Sequence, residues 1–245
     1  VPAASAAADF AGTYTRQDST LNKRTITLNK HKFVSWYLSD VAIAKSPAVT
    51  LERFGMQKGF QLAKAVFQDV LSAVTLANYG AAAHTGLAAN FDYADIVDIK
   101  DACDTAEMPE MPRSLVLSSS YYNALLKDSV IKDAGALGAT ANQTGSLPNL
   151  SGFMTYRSSL VPANAQNLVG FAAFPSALVT AMRYLQPSGR SQDGIYRPVA
   201  DESTGITLGY REFYDNDKGE VVAVLECFYG YALGEAAALK RIVSA

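Results

Sequence analysis

The stretch from Pro47 to Asn78 sets the scale of any fold this chain can adopt. From Met56 onward, apolar or small residues fall at Met56, Gly59, Phe60, Ala63, Val66, Phe67, Val70, Val74 and Ala77. Steps of three and four place them on one face of a helix. Gln57, Lys58, Gln61, Lys64, Gln68, Ser72 and Thr75 form the other, polar face. Ser46-Pro47 has the form of an N-cap with a first-turn proline, and Asn78-Tyr79-Gly80 that of a glycine stop. About 32 helical residues would run ~48 Å, whereas a compact chain of this length is about 45 Å across. The spacing therefore predicts a spine as long as the molecule. Gly55 and Gly59 each weaken it by about 1 kcal/mol relative to alanine. Their G-x-x-x-G spacing either marks a close backbone approach or carries no structural meaning.

With 245 residues the chain is long enough to bury a real core, and 49% apolar against 18% charged content places it among folded proteins. A net charge of −2 offers no general attraction to nucleic acid or to an anionic membrane. The distribution is uneven. Thr13 to Lys45 carries Arg16, Lys23, Arg24, Lys30, Lys32 and Lys45 against Asp18 and Asp40, so this segment is +4 and the remainder −6. Opposite signs on different parts of one chain suit self-association. No apolar run is long enough to cross a bilayer as a helix. Val1–Ala8 is small and apolar but lacks the basic flank of a secretory leader.

Taken in order, residues 1–12 read as a loose, alanine-rich arm. From Arg16 to Lys32 the large aliphatic residues are Leu21, Ile26 and Leu28 alone, too few to fold unaided. Thr25–Leu28 nevertheless alternates, and Val34, Trp36 and Leu38 continue the alternation. Thr13–Ser39 is therefore expected as a two-stranded ribbon turning near Asn22-Lys23 and projecting from the body, with a disordered basic loop as the alternative. On that reading, deletion of Arg16–Lys32 leaves the body folded and disturbs assembly.

Between Asp92 and Met108, carboxylates recur every third residue while Ile96, Ile99, Cys103 and Ala106 keep helical spacing. This is a surface helix with an acidic face, opened by an Asp92–Asp95 capping box. Such a period drifts around the helix and gathers no metal site. Pro109 and Pro112 stop the helix, Leu115–Leu117 is a buried strand, and Ser118–Ser120 cap a helix from Tyr121 to Asp128. Asp133–Ser146 is glycine-rich loop, Gly152–Leu160 and Leu168–Phe174 are strands, and Pro175–Met182 is a helical turn. Gln186–Ser203 reads as exposed loop. Ile206–Tyr214 and Val221–Leu233 flank Asp215–Gly219 as a clear hairpin. The fold class is mixed α+β.

Little here could build an active site. The two histidines, His31 and His84, lie in no catalytic motif, and Cys103 and Cys227 form no C-x-x-C. No dinucleotide fingerprint, phosphate loop, G-x-S-x-G or paired zinc spacing occurs. No catalytic residue, metal ligand or cofactor is expected, and the balance moves toward a structural role.

The order of elements resembles that of a tailed-phage major capsid protein with the Hong Kong 97-type shell fold, over nearly the whole chain. The ribbon Thr13–Ser39 is similar to that family's extended loop, and Gly59–Asp69 to its long spine helix. Asp92–Met108, Pro112–Leu117 and Tyr121–Asp128 are similar to the helix–strand–helix run of its axial domain. Gly152–Pro162 and the late hairpin Asp217–Tyr231 complete the set. The resemblance implies an N-terminal arm (1–12), an extended loop (13–45), a peripheral domain with the spine (46–91 and 206–245) and an axial domain (92–205).

By the same resemblance the chain is not an enzyme. It assembles into hexamers and pentamers of an icosahedral shell enclosing double-stranded DNA without sequence-specific binding. Scaffold, portal and decoration proteins are the further partners implied, with no membrane involved. Its place would be the virion capsid, assembled in the bacterial host cytoplasm. Arg16, Lys23, Arg24, Lys30 and Lys32 would be intersubunit contacts of the extended loop, and Asp95, Asp98 and Asp101 the acidic counter-surface. The lysine–asparagine cross-link of some relatives is not expected, since no matching asparagine is identifiable. The alternatives are an encapsulin-type shell around protein cargo, which shares this fold, and a monomeric enzyme using His84.

Overall fold

The computed structural model describes residues 2–3, 20–21, 25–45, 51–133, 144–147, 149–186, 194–201 and 206–245. Besides a short pair of β1 (Pro2–Ala3) and β2 (Thr20–Leu21), it contains two five-stranded sheets. The first is built around β11 (Glu220–Leu233), which pairs along one edge with β3 (Lys30–Ser39). Along its other edge lie β10 (Ile206–Asp215) and then β8 (Leu178–Arg183), and β9 (Gly194–Asp201) extends the sheet beyond β10. All these pairings are antiparallel.

The second sheet has the order β4 (His84–Thr85), β12 (Leu239–Val243), β7 (Leu168–Ala173), β5 (Arg113–Leu117), β6 (Phe153–Arg157). Its β5 and β6 are parallel and are joined through α5 (Ser119–Lys127) and α6 (Ser129–Lys132), as parallel neighbours require a crossover. On this sheet sits α4 (Tyr93–Thr105), with Ile96, Ile99 and Cys103 buried against Leu115, Leu117 and Phe153. Its capping box is formed: Asp92 accepts from the amides of Ala94 and Asp95, and the Asp95 carboxylate accepts from the Asp92 amide.

The spine helix is shorter than its periodicity predicts. It runs as α2 (Leu51–Leu71), about 31 Å at ~1.5 Å per residue, and is followed by a separate turn, α3 (Leu76–Tyr79), ending at Gly80. Tertiary contacts break it between Leu71 and Leu76. Val74 is wholly buried with Leu168, Phe171 and Leu239. The Asn164 amide donates to the carbonyls of Leu71 and Val74, and Gln166 accepts from the Leu76 amide. Ser46-Pro47, read as its N-cap, lies outside the described residues.

Three further expectations are corrected. Lys30–Ser39, read as one arm of a projecting ribbon, pairs residue for residue with Glu220–Tyr229 as part of the body. Trp36 and Leu38 are buried there, and the Trp36 indole donates to the Leu51 carbonyl at 3.1 Å. Deletion of Arg16–Lys32 would therefore remove the start of a core strand. Leu178–Arg183 and Gly194–Asp201, read as helical turn and loop, are strands, because β11 and β10 offer them backbone partners that local propensity cannot reveal. Thus 30–39, 178–183 and 194–201 contribute to the sheet of the late hairpin, and 84–85 and 239–243 to the sheet of α4. The turn at Asn22-Lys23 lies outside the described residues.

The face that α2 buries consists of Leu62, Val66 and Val70, seated on Trp36, Ala223, Leu225, Cys227 and Tyr229. Gly55 and Gly59 share that face; a Cβ on each would meet Trp36 Cζ2 and Leu225 Cδ2 at 3.7 Å. The close approach is thus to side chains of the sheet. Met56, Phe60 and Phe67, which the periodicity places on the same apolar face as Val66 and Val70, are 86%, 64% and 41% exposed. Replacing Leu62 by alanine is expected to destabilise the unassembled chain by about 3 kcal/mol. Met56→Ala should change stability by less than about 0.5 kcal/mol. Urea titration of the two variants checks the assignment of faces.

Candidate assembly interface

Two apolar surfaces of the first sheet's layer have no partner among the described residues. One is the flank of α2 that carries Met56, Phe60, Ala63 and Phe67, a row displaced by one residue from the buried row. Together the two rows form an apolar arc too wide for a single contact. That width was the signal in the sequence for a second face.

The other surface is the side of the sheet turned away from α2. Along β3, Val34, Trp36 and Leu38 point to the helix, so Phe33, Ser35 and Tyr37 point outward. Phe33 is 62% and Tyr37 64% exposed, and in register beside Tyr37 stand Val222 and then Phe213. Glu226 lies on the same side yet is buried. Arg211 Nε donates to its Oε1 at 2.6 Å, and His31 Nε2 lies 3.0 Å from its Oε2. Gly209 makes the room: a Cβ there would stand 3.0 Å from Glu226 Cγ. The carboxylate is thus paired before it is buried, which avoids the cost of an isolated charge.

The predicted contact residues divide. Arg16, Lys23 and Arg24 lie outside the described residues. Lys30 is engaged within its own chain: its Nζ donates to Asp69 Oδ2 at 2.8 Å and to the Tyr231 hydroxyl at 3.2 Å, and sits 4.6 Å from the Tyr231 ring centre. Lys32 is half-buried on the same strand and adds to the positive field at Asp69. Asp95 belongs to the helix cap and stands 3.3 Å from His84 Nδ1. Asp98 and Asp101 are exposed on α4.

Burial alone would raise the Asp69 carboxyl, but hydrogen bonds from Lys30 and from Tyr229 (2.8 Å) outweigh it and hold it below its usual range. Lys30 is raised, chiefly by its bond to Asp69. This cluster ties the last turns of α2 to β3 and β11. Nothing in the sequence near Asp69 announces it, because its members come from three distant segments.

His84, the residue of the enzyme alternative, sits on β4 at the second sheet's edge. Its ring meets Phe91 edge-on, and its buried Nε2 faces Gly86 without a hydrogen-bond partner. Cys103 and Cys227 are buried, and burial pushes both thiols up to about 11, far from the reactive thiolate. Among the described residues, no group of three or more His, Cys, Asp or Glu side chains could hold a metal ion.

No protein-family model matches this chain, and no curated protein is similar to it in sequence. Solved structures do match in fold. The capsid structure of cyanophage P-SCSP1u matches with a TM-score of 0.69 at 15% identity, over 100% of this chain and 82% of that one. A chain from Mycobacterium phage Che8 gives 0.66 at 14% identity, over 98% of this chain and 81% of that one. The mature capsid of bacteriophage PhiM1 gives 0.64 at 13% identity, over 99% and 79% respectively. A virus-like particle from Pyrococcus furiosus matches at 0.51 and 12% identity, over 88% of this chain and 76% of that one. The mixed helix-and-sheet fold described here is the fold of these phage capsid chains.

Because Asp69 is lowered in the folded state, its contribution to stability is present above the ordinary carboxylate range and lost as pH falls through the folded value. Lys30 is raised, so its contribution is present below 10.5 and lost as pH rises through its folded value. Asp69→Asn should lower stability near neutrality and flatten the acid limb of a stability-against-pH curve. Denaturant titrations between pH 3 and 7 would reveal it; parallel curves for both proteins would refute the assignment.

Proposed function

We propose that this chain is a structural subunit of a phage-type shell, a major capsid protein of the Hong Kong 97-like class, assembling as hexamers and pentamers around double-stranded DNA. The observation that carries the reading is the match in fold to phage capsid structures over essentially the whole chain. The exposed aromatic and aliphatic surfaces agree with it. Phe33, Tyr37, Met56 and Phe60 would be wasteful on a monomer and are natural where copies pack.

In this reading residues 1–12 are an arm, the segment around Arg16, Lys23 and Arg24 crosses a neighbouring copy, and the two sheets are the cores of the peripheral and axial parts. Lys30 and Lys32 stand at the base of the crossing segment, with Lys30 already held by Asp69. Asp98 and Asp101 are the exposed part of the acidic counter-surface. A slightly acidic chain, net −2, does not trap DNA as it enters. Scaffold, portal and decoration proteins are the further partners, and assembly takes place in the bacterial cytoplasm. The chain carries out no catalysis.

A second reading has an observation of its own. The match to the Pyrococcus furiosus particle keeps open an encapsulin-type compartment with protein cargo. Light scattering and electron microscopy of the purified chain, followed by nucleic-acid analysis of any particles, test both. Closed shells packaging DNA in infected cells support the capsid reading, and shells containing a protein cargo support the other. A chain that stays monomeric at high concentration, with or without its native co-assembly proteins, overturns both. Phe33→Ser combined with Tyr37→Ser should leave the circular dichroism spectrum unchanged while reducing the particle yield by about tenfold or more.

A further inference from the structure

The outward faces of α2 and α4 are chemical opposites. On α2, Gln57, Gln61 and Lys64 are exposed and Lys58 and Gln68 half-buried, and no carboxylate occurs from residue 54 to residue 68. On α4, the exposed residues are Ala94, Val97, Asp98, Asp101, Asp104 and Thr105. Asp104 is paired with Arg113 at 2.6 Å, and Asp95 is taken up by the cap and His84. Lys58, Lys64, Asp98 and Asp101 have no ionic partner among the described residues. Gln57 to Gln68 and Ala94 to Thr105 each span about 16 Å. The helices cover different sheets and present these faces to solvent, so the faces do not meet within one copy.

We propose that the acidic face of α4 docks against the lysine- and glutamine-bearing face of α2 in a second copy of this chain. The inference rests on the shell reading and assigns a partner to Asp98 and Asp101. That partner is a rigid helix of the neighbouring body, in place of the basic segment at the start of the chain. The contact is heterologous, one surface meeting a different one, so repetition around a rotation axis closes a ring. Lysines set opposite carboxylates fix register and steer encounter, and the intervening glutamines and Val97 fill the contact.

Charge reversal tests it in the full chain. K58E/K64E and D98K/D101K each place like charges in the contact and should raise the concentration needed for particle formation by about tenfold at low salt. The quadruple variant restores complementarity and should return to within about twofold of the parent. Lys64, Asp98 and Asp101 are exposed and Lys58 is half-buried, and circular dichroism checks that each variant is folded. Unimpaired assembly of the double variants overturns the proposal. So does failure of the quadruple variant to recover, or recovery of D98K/D101K by reversing Arg16, Lys23 and Arg24 instead. If the parent chain forms no particles under any condition, the shell reading itself fails, and this contact fails with it.

Discussion

Every large feature of the first layer depends on the backbone pairing of β11. Fourteen residues long, it is bonded on one edge to β3 and on the other to β10 and then β8. A strand paired on both edges has few free amides and carbonyls, so its side chains alone decide what covers it. Ala223, Leu225, Cys227 and Tyr229 project to one side and receive α2. Glu226 projects to the other and needs Arg211 and His31. The position of the helix, the burial of Trp36 and the Lys30–Asp69–Tyr229 cluster all follow from where this strand runs. It also leads through a short turn into β12, so one continuous segment supplies an inner strand of each sheet.

What could be read from the sequence was local chemistry. The Asp92 capping box, the buried row of α4 and the Asp215–Gly219 hairpin each depend on residues a few positions apart, and each is present. What could not be read depends on partners far along the chain. The strand β8 looks like a helical turn because Pro175-Ser176 precedes it, and β9 like loop because Pro187, Gly189, Gly194 and Pro198 dominate local propensity. Their pairing energy comes from β11 and β10. Likewise, periodicity through Val74 and Ala77 describes an uninterrupted helix. The capture of Leu71 and Val74 carbonyls by Asn164, some ninety residues away, breaks it. The ionic clusters around Asp69 and Glu226 were illegible for the same reason.

The choice of helical face shows how a correct period can still yield a wrong assignment. Rows beginning at Gly55 and at Met56 are both mainly apolar or small, and steps of three and four fit each. The sheet selects the row with glycines, because it brings the helix close to Trp36 and Leu225. The row with the larger side chains, Met56, Phe60 and Phe67, is left outside. In an isolated domain that arrangement wastes hydrophobic driving force, since each large side chain would contribute about 1.5–3 kcal/mol if buried. For a subunit it is the expected allocation: smaller residues where the chain meets itself, and larger ones where it meets other chains.

The electrostatics follows the same division. Most buried charges are matched by an opposite charge within the copy: Glu226 with Arg211, Arg113 with Asp104, and half-buried Asp69 with Lys30, whereas Arg241 is held by the neutral oxygens of Gly80 and Gln166. Lys58 and Lys64 of α2 and Asp98 and Asp101 of α4 have no ionic partner among the described residues. A solvated ion pair contributes little by itself, about 0–1 kcal/mol, so such faces cannot hold two copies together alone. A closed shell changes the arithmetic, because every subunit makes several contacts at once and each later contact forms at high effective concentration. Weak individual contacts then have an advantage. A misplaced copy held by one pair dissociates, whereas a correctly placed copy is held by all of them. In the proposed shell, apolar flanks would supply attraction and charged faces would set register, the division of labour that accurate closure requires.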